Sequence, residues 1–403
     1  MSPTNGQACD SRNRARAYAT HFASAGFFML FLSAAGGAFA FAVDRARFVH
    51  AYWVAFGSLT TLGLGALFFT LLHHVVGARW SVESNSRIQT FVGLLPWCAV
   101  LYLPAVYWAP EIFAGMQTAR VTQGSLSHPM GLFELPWFHI RAAIYWLVLV
   151  ATALRYGNPR LYAPEVSFAD TLVQRARRDS GPALLAFAIT TTFASFDWFM
   201  RLQPSWHSAV FGVYIFSGAV PAALAMLALA TLLLESLGIT QTHTCARHDI
   251  SKLLFGFVVF WAYIAFSQYL LIWYAGLAHE TPFYVVRFNR SWLPLTLALL
   301  LLHFAVPFLA LLSAHAKTSP RILGSVSVVV LVAHGVDIYW LIMPALESER
   351  PRLSLSDVPP ALLIVSAVLL LLSRSIQREL SSPEPAVSAA SPEPIAPHFR
   401  YTG

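Results

Sequence analysis

The stretch PALLAFAITTTFASFDWFMRLQPSW, residues 182–206, decides how the rest of the chain is interpreted. The first half of this stretch carries no charged side chain. The whole stretch is long enough to cross a bilayer, because a spanning helix needs about 20 mostly apolar residues. It also carries Asp197, with Arg201 one helical turn further on. The pattern predicts a membrane-spanning helix that holds an acidic side chain inside the bilayer.

The composition of the whole chain agrees with a membrane protein. Of 403 residues, 57% are hydrophobic and 11% are charged, whereas soluble domains have about 25% charged residues. The mean hydropathy is +0.60. Long apolar runs favour helices over a β-barrel. The net charge of +7 is interpreted as loop charge that sets orientation in the membrane, so no nucleic-acid partner is expected.

The cysteines exclude several kinds of redox site. Cys9, Cys98 and Cys245 are the three in the chain, and they form no CxxC, CxxCH or four-cysteine cluster. Covalently bound haem, an iron–sulfur cluster and structural zinc are therefore not expected in this chain. A bis-histidine haem b is not favoured either, since no helix holds two histidines at the spacing that stacked haems need. The sequence predicts no metal site.

Ten windows are long and apolar enough to span a membrane, which predicts an all-α integral membrane protein. The windows are 18–43, 51–77, 88–109, 136–156, 182–201, 207–237, 252–277, 292–313, 322–343 and 358–374. Windows 2–5 and 6–9 start on the same side, which is compatible with two four-helix bundles and two flanking helices. Residues 1–17 are then a cytoplasmic segment, 18–374 the membrane domain, and 375–403 a cytoplasmic tail. Its Pro/Ser-rich part is expected to be disordered.

The connections predict the orientation. Those on the N-terminal side hold about twice as many Lys and Arg residues as those on the other side. Because cytoplasmic loops are enriched in these residues, both termini of this multi-pass chain are expected in the cytoplasm.

Polar side chains collect in the predicted outer half. Asp197 lies about 22 Å along its helix, in the outer third of a core about 30 Å thick. His334 and Asp337, three residues apart, share one face of another helix and are expected to be in contact. The full set of candidates for a proton path or a quinone site is Glu134, His139, Asp197, Arg201, His207, Tyr263, Ser267, Gln268, His334 and Asp337. Interfacial ion pairs, headgroup anchors and helix-packing contacts are the alternatives for each of them.

A second, sparser set lies in the predicted inner half. Proton uptake from the cytoplasm is the hypothesis for these residues, and simple interfacial placement is the alternative. The candidates are His73, His74, Glu235, His248 and Asp249.

Two stretches resemble a known family: SFDWFMRLQPSWHSAVFGVYIFSGA (195–219) and HDISKLLFGFVVFWAYIAFSQYLLIWYAGLAHETPFYVVR (248–287). They are similar to membrane subunits of the alternative complex III of bacteria, a quinol:electron-acceptor oxidoreductase, which belong to the polysulfide-reductase membrane-anchor (NrfD-like) family. The second stretch is similar in particular to the smaller one, the F subunit. The resemblance implies two four-helix bundles with two flanking helices, no redox centre in this chain, and a place in the inner (cytoplasmic) membrane of a bacterium.

The resemblance also implies partners and ligands. These are a larger NrfD-like sister subunit, iron–sulfur and multihaem cytochrome c subunits on the outer face, a terminal oxidase, membrane lipids, and menaquinone or ubiquinone. Quinol oxidation is attributed to the sister subunit, and proton conduction or a second quinone site to this one. The matching residues are Asp197, Trp198, Trp206 and the face Tyr263–Ser267–Gln268.

Two other classes of function stay open. A secondary transporter favours helices broken near the midplane in corresponding halves, but the helix-interior prolines Pro96, Pro104, Pro221 and Pro307 are not paired by position. A purely structural scaffold would use its polar residues to pack helices.

Overall fold

The computed structural model describes residues 5–77, 82–113, 135–158, 171–203, 206–240 and 244–381. Over these ranges the chain is helical and contains no strand. The long helices are α1 (Asn5–Val43), α2 (Arg45–Val76), α6 (Leu135–Tyr156), α7 (Thr171–Trp198), α8 (Phe211–Ser236), α9 (Thr244–Ala275), α11 (Leu293–Ala310), α13 (Pro320–Ile342) and α14 (Val358–Ser381). Shorter helices are α3 (Val82–Val92), α4 (Leu94–Leu101), α5 (Leu103–Ile112), α10 (Pro282–Arg287) and α12 (Ala314–Thr318).

The ten predicted windows correspond to ten observed segments. Nine helices in the described ranges are long and apolar enough to cross a membrane, and residues 87–112 form a tenth that is bent by 61° at the α4–α5 junction. The prediction of an all-α membrane protein with about ten helices is confirmed.

Local capping explains where α2 begins and ends. Asp44 accepts a hydrogen bond from the Arg47 backbone N–H at 3.1 Å, which satisfies a free donor of the first turn. Gly77 closes the helix with φ +63°, a left-handed conformation that favours glycine, and its N–H donates to the His73 carbonyl. We call the two ends of the molecule the Arg45 end and the Gly77 end. They correspond to the predicted outer and inner sides.

Helices α2 and α8 form the centre of the molecule. Most residues of both helices are buried. They approach each other closely at Gly65, where an added Cβ would lie 2.1 Å from the carbonyl oxygen of Ala219. Helices α3–α7 pack around α2, while α9 and α13 pack against α8 and α11 packs against α9 and α13, so the molecule consists of two bundles joined along this central pair.

The flanking helices α1 and α14 pack against each other in antiparallel fashion through serine hydroxyl groups. Ser33 donates to the Pro359 carbonyl at 2.7 Å, Ser366 to Gly26 at 2.9 Å, and Ser373 to Ala19 at 2.8 Å. The positions recur every seven residues on both helices, and small residues of this kind allow close helix packing in membranes.

A buried arginine at the Arg45 end joins α2 to the connection between α13 and α14. Arg47 is 4% exposed and donates to Glu347 at 2.6 Å and to Asp357 at 2.7 and 3.0 Å. These bonds fix the start of α2 to the connection between α13 and α14.

Helices α7 and α14 extend beyond the predicted windows. The fifth window begins at residue 182, but α7 begins at Thr171, so the spanning helix is about three turns longer at its start. Residues 375–381, predicted as part of the tail, form the last turns of α14, while the rest of the tail lies outside the described residues. Residues 114–134, between the third and fourth windows, also lie outside them.

Candidate functional site

The first intramembrane acid, Asp197, is held by an arginine from another helix. Arg141 on α6 donates through Nε and Nη2 to the two carboxylate oxygens, at 2.7 Å each. Tyr145, one turn further along α6, adds an O–H donor at 2.9 Å. Arg201, the expected partner, lies further away, with Nη1 at 3.5 Å from Oδ1.

This geometry changes the interpretation of Asp197. Two guanidinium groups and a hydroxyl surround a carboxylate that is 7% exposed, so its charge is neutralised by bidentate and single hydrogen bonds. Each carboxylate oxygen therefore already accepts at least one hydrogen bond from a side chain. The expected ion pair with Arg201 is present at 3.5 Å, but Arg141 bonds more closely, because α6 packs against α7 and brings this arginine to the acid.

The two tryptophans near Asp197 are packing residues. Trp198 is stacked on Trp146 with ring centroids 5.2 Å apart, and its carbonyl accepts a hydrogen bond from Trp53 at 2.9 Å. Trp206 is stacked on Phe283 at 3.9 Å. Both are almost fully buried, so neither lines an open cavity.

The second acid, Asp337 on α13, lies in a different environment. It is 2% exposed. Tyr214 on α8 donates to Oδ1 at 2.5 Å, and the Trp261 indole N–H on α9 donates to Oδ2 at 3.2 Å. Both partners are neutral hydrogen-bond donors, so the charge of Asp337 has no directly bonded cation among the described residues.

His303 joins this cluster from α11. Its Nδ1 lies 4.0 Å from Oδ2 of Asp337, about 1 Å longer than a hydrogen bond. The imidazole packs 4.0 Å from the ring of Trp261, and it is completely buried. Neither ring nitrogen has a hydrogen-bond partner within the described part of the chain. His303 belongs to a π-helical turn, Leu300–Ala305, a distortion that is frequent at functional sites.

His334 lies one turn before Asp337 and faces His303, with ring centroids 6.2 Å apart. Its Nε2 is 2.7 Å from the hydroxyl oxygen of Thr61 on α2. Thr61 donates its own proton to the Gly57 carbonyl at 2.8 Å, so we assign the proton of this contact to Nε2 of His334. Nδ1 is then an acceptor, and it has no partner among the residues that the structure describes.

His334 and Asp337 were expected to contact each other directly, but each bonds to residues of other helices instead. Asp337 bonds to Tyr214 and Trp261, while His334 bonds to Thr61. Helix α8 leaves space beside both side chains at Gly218, where an added Cβ would lie 3.5 Å from His334 Nδ1 and 3.6 Å from Asp337 Oδ2. We call Thr61, Tyr214, Trp261, His303, His334 and Asp337 the Asp337 cluster.

A buried arginine lies between the cluster and the Arg45 end. Arg287 has no exposed surface and donates to the carbonyls of Phe283 at 2.8 Å, Leu341 at 2.9 Å and Trp340 at 3.2 Å. It therefore caps the last turn of α13, where a cation is favourable. Burial lowers the pKa of Arg287 to about 9, so it stays positively charged at neutral pH and interacts electrostatically with Asp337.

The remaining outer candidates do not join one cavity. Gln268 is 3% exposed and its Oε1 has no partner in the described ranges. Tyr263, however, is 64% exposed, so the prediction that these two share one face is wrong. The inward face of α9 is formed by Trp261, Ile264 and Gln268. Ser267 is partly buried.

Two other outer candidates, His207 and His139, lie near the ends of helices. His207 is exposed, before α8 begins. His139 is partly buried on α6, and its Nδ1 has no hydrogen-bond partner among the described residues. Glu134 lies outside the described residues.

The inner candidates lie at the Gly77 end on several helices. His73 and His74 are buried, with ring centroids 5.4 Å apart, and His74 lies 5.4 Å from Tyr156. Glu235 forms an ion pair with Arg247 at 2.9 Å. His248 and Asp249 are half-buried near the start of α9. Their role in proton uptake stays a prediction.

Several residues of the two acid sites were missed as site residues: Arg141, Tyr145, Tyr214, Trp261, Arg287 and His303. Each is a polar or aromatic residue in or beside a spanning window, which is a weak sequence indication of a site residue. Nothing in the sequence pairs them, because each contact joins helices that are distant along the chain.

In the described ranges, no group of three or more His, Cys, Asp or Glu side chains has a geometry that could hold a metal ion. No family model matches this sequence, and no match was found among curated proteins.

Proposed function

We propose that this chain is an integral-membrane subunit of a bacterial quinol-oxidising respiratory complex, and that its Asp337 cluster carries protons. Assignment to such a complex is supported by the resemblance of residues 195–219 and 248–287 to membrane subunits of alternative complex III. In this proposal quinol is oxidised in the sister subunit, and this chain contains no redox centre.

The observation that carries the proton role is the Asp337 cluster. Ionisable residues inside a membrane are costly and mark proton relays when they are not simply paired. Asp337, His303 and His334 are all buried, and three of the four imidazole nitrogens have no partner among the described residues. Asp337 and each of the two neutral imidazoles can accept one proton. The distance of 4.0 Å between His303 and Asp337 closes with a shift of about 1 Å.

Asp337→Asn tests the proton role. The amide keeps the size of the side chain but cannot exchange a proton. We expect proton flux to fall at least tenfold in liposomes that contain the protein purified with its accompanying subunits. A pH-sensitive dye inside the liposomes reports the flux, which is driven by a potassium diffusion potential. His303→Gln is expected to have the same effect.

Asp197→Asn is the matched control, because it makes the same change at the other buried acid. Its flux per folded molecule should remain within about twofold of the wild type, since Asp197 is already saturated by Arg141, Tyr145 and Arg201. Unchanged flux in correctly folded Asp337→Asn protein would contradict the proton role.

Copurification tests the respiratory assignment. The tagged chain, extracted from its own membranes in mild detergent, should bring with it subunits that show the absorbance of c-type haem and the EPR signals of iron–sulfur clusters. Purification of the chain free of both cofactors, in a detergent that preserves other respiratory complexes, would contradict this assignment.

A structural scaffold is the second candidate, and the saturated Asp197 site favours it for that part of the molecule. A transporter is favoured less. The bend at α4–α5 interrupts the second span of the first bundle, whereas the π-helical turn of α11 interrupts the third span of the second bundle. The interruptions are therefore not in corresponding positions, as inverted repeats would require.

A further inference from the structure

A cavity of about 320 Å³ opens between the flanking helices and the first bundle. Its wall on α1 runs from Leu30 to Phe41, about 16 Å along the helix axis. The facing walls are Phe48 and Tyr52 of α2, Trp108 of α5, and Leu363 of α14. All four helices belong to membrane-spanning segments, so the medium outside the opening is lipid. We call this cavity the α1 groove.

The polar groups in the wall of the α1 groove are already occupied. The Tyr52 hydroxyl donates to the Leu101 carbonyl at 2.6 Å, at the break between α4 and α5. The Ser33 hydroxyl donates to the Pro359 carbonyl. The other lining side chains are hydrocarbon or aromatic, and the indole N–H of Trp108 is the one further side-chain donor among them. A quinone ring needs hydrogen bonds to its two oxygens and would leave at least one of them unpaired here.

The length and position of the α1 groove fit one leaflet. Its wall of about 16 Å is close to half of a hydrocarbon core that is about 30 Å thick. It reaches towards the Arg45 end, where the headgroups of that leaflet lie. An acyl chain that enters from a headgroup at this level would therefore occupy the groove to its full depth.

An ion pair stands near the headgroup level. Arg45 and Glu111 bond to each other, with side chains 44% and 34% exposed. The Arg45 guanidinium is held over the rings of Phe41 and Tyr107, at 4.9 and 5.9 Å from their centroids. A cation beside an anion complements a zwitterionic headgroup, because the guanidinium attracts a phosphate and the carboxylate attracts an ammonium group.

We infer that the α1 groove binds one acyl chain of a zwitterionic phospholipid, whose phosphoethanolamine headgroup contacts Arg45 and Glu111. The bound chain fills the space between α1, α2, α5 and α14. It adds to the contacts between the flanking pair and the first bundle that Phe41 of α1 makes with Phe48 and Trp108.

Native mass spectrometry of the protein purified from its own membranes tests this inference. We expect one phosphatidylethanolamine per wild-type chain. Ala34→Phe and Ala38→Phe place a ring in the groove from two positions of its α1 wall, and each should reduce lipid occupancy at least fivefold. Ala35→Phe is the matched control, because Ala35 is exposed and adjacent in sequence but is not part of the lining. It should retain the lipid.

The headgroup is tested by adding lipid back to delipidated protein. Phosphatidylethanolamine should restore occupancy at a concentration at least threefold below that needed for phosphatidylglycerol, and Glu111→Gln should remove this preference. Wild-type protein that binds no lipid at this site even after addition would overturn the inference. Equal occupancy in Ala34→Phe, Ala38→Phe and Ala35→Phe, or a quinone mass that the first two variants remove, would also overturn it.

Discussion

Asp197 and Asp337 are both aspartates within spanning helices near the Arg45 end, but their partners differ in charge. Asp197 bonds to a bidentate arginine, a tyrosine and a second arginine. Asp337 bonds to a tyrosine and a tryptophan, which are neutral donors, and has two imidazole groups nearby. The proton role that we propose for Asp337, and not for Asp197, is based on this difference.

Asp197→Asn is therefore expected to act on stability. The substitution leaves Arg141 and Arg201 without their carboxylate, and removal of one partner from a buried ion pair costs about 3 kcal/mol. SDS-induced unfolding in mixed micelles measures the free energy. Asp249→Asn, at a half-buried position near the start of α9, should change it by less than about 0.5 kcal/mol. An Asp197→Asn protein as stable as the wild type would show that the ion pair contributes nothing to folding.

At the scale of helices, close approach between backbones determines how the two bundles join. Gly65 of α2 lies against the Ala219 backbone of α8, and Gly57 of α2 lies against the Ile338 side chain of α13. Lipid tails are as apolar as the helices, so the hydrophobic effect does not drive helices together inside a membrane. They associate instead through van der Waals packing of this kind. The π-helical turn in α11 has a different effect, because it places His303 within the second bundle beside Trp261.

Gly65→Ala tests the central helix pair. The added methyl group would lie 2.1 Å from the Ala219 oxygen, so α2 and α8 must move apart, and we expect a loss of about 2–3 kcal/mol in unfolding free energy. Gly256→Ala is the control, since nothing lies within 4 Å of its Cβ position. Alanine has a higher helix propensity than glycine, so this substitution should leave the unfolding free energy unchanged or raise it by up to about 1 kcal/mol. Equal effects of the two substitutions would contradict the role of the close approach.

At the scale of the whole molecule, the charge distribution predicts that the Gly77 end faces the cytoplasm. Arg14 and Arg16 on α1, and Lys317 and Arg321 around α12, belong to this end, and such residues are retained on the cytoplasmic side. A proton path through the Asp337 cluster would then open outward, near Arg287.

Reporter fusions test this orientation. Green fluorescent protein attached after Ser381 should fluoresce, and alkaline phosphatase at the same position should be inactive, because the former folds only in the cytoplasm and the latter only outside. Alkaline phosphatase attached after Glu280, in the connection between α9 and α10, should be active. The reverse pattern at both positions would contradict the predicted orientation.

The number of spanning helices was predictable because hydrophobic length is a local property of the sequence. Windows of about 20 apolar residues appear wherever a helix must cross the bilayer. The observed helices agree with five of the ten windows within four residues at both ends, while α1, α2, α7, α9 and α14 extend further than predicted. The candidate site was predictable only in part. Depth along a helix placed Asp197 and Asp337 near one end, but helix rotation decided that Tyr263 points outward and Gln268 inward.

By itself the sequence determined the class of protein, the positions of its spanning helices and the set of intramembrane polar residues, since these follow from composition and distance along the chain. Only the tertiary structure decided which polar residues meet. Arg141 is 56 residues before Asp197, and Tyr214 is 123 residues before Asp337. Their contacts depend on how helices cross and rotate, which packing at positions such as Gly65 controls and no local pattern records.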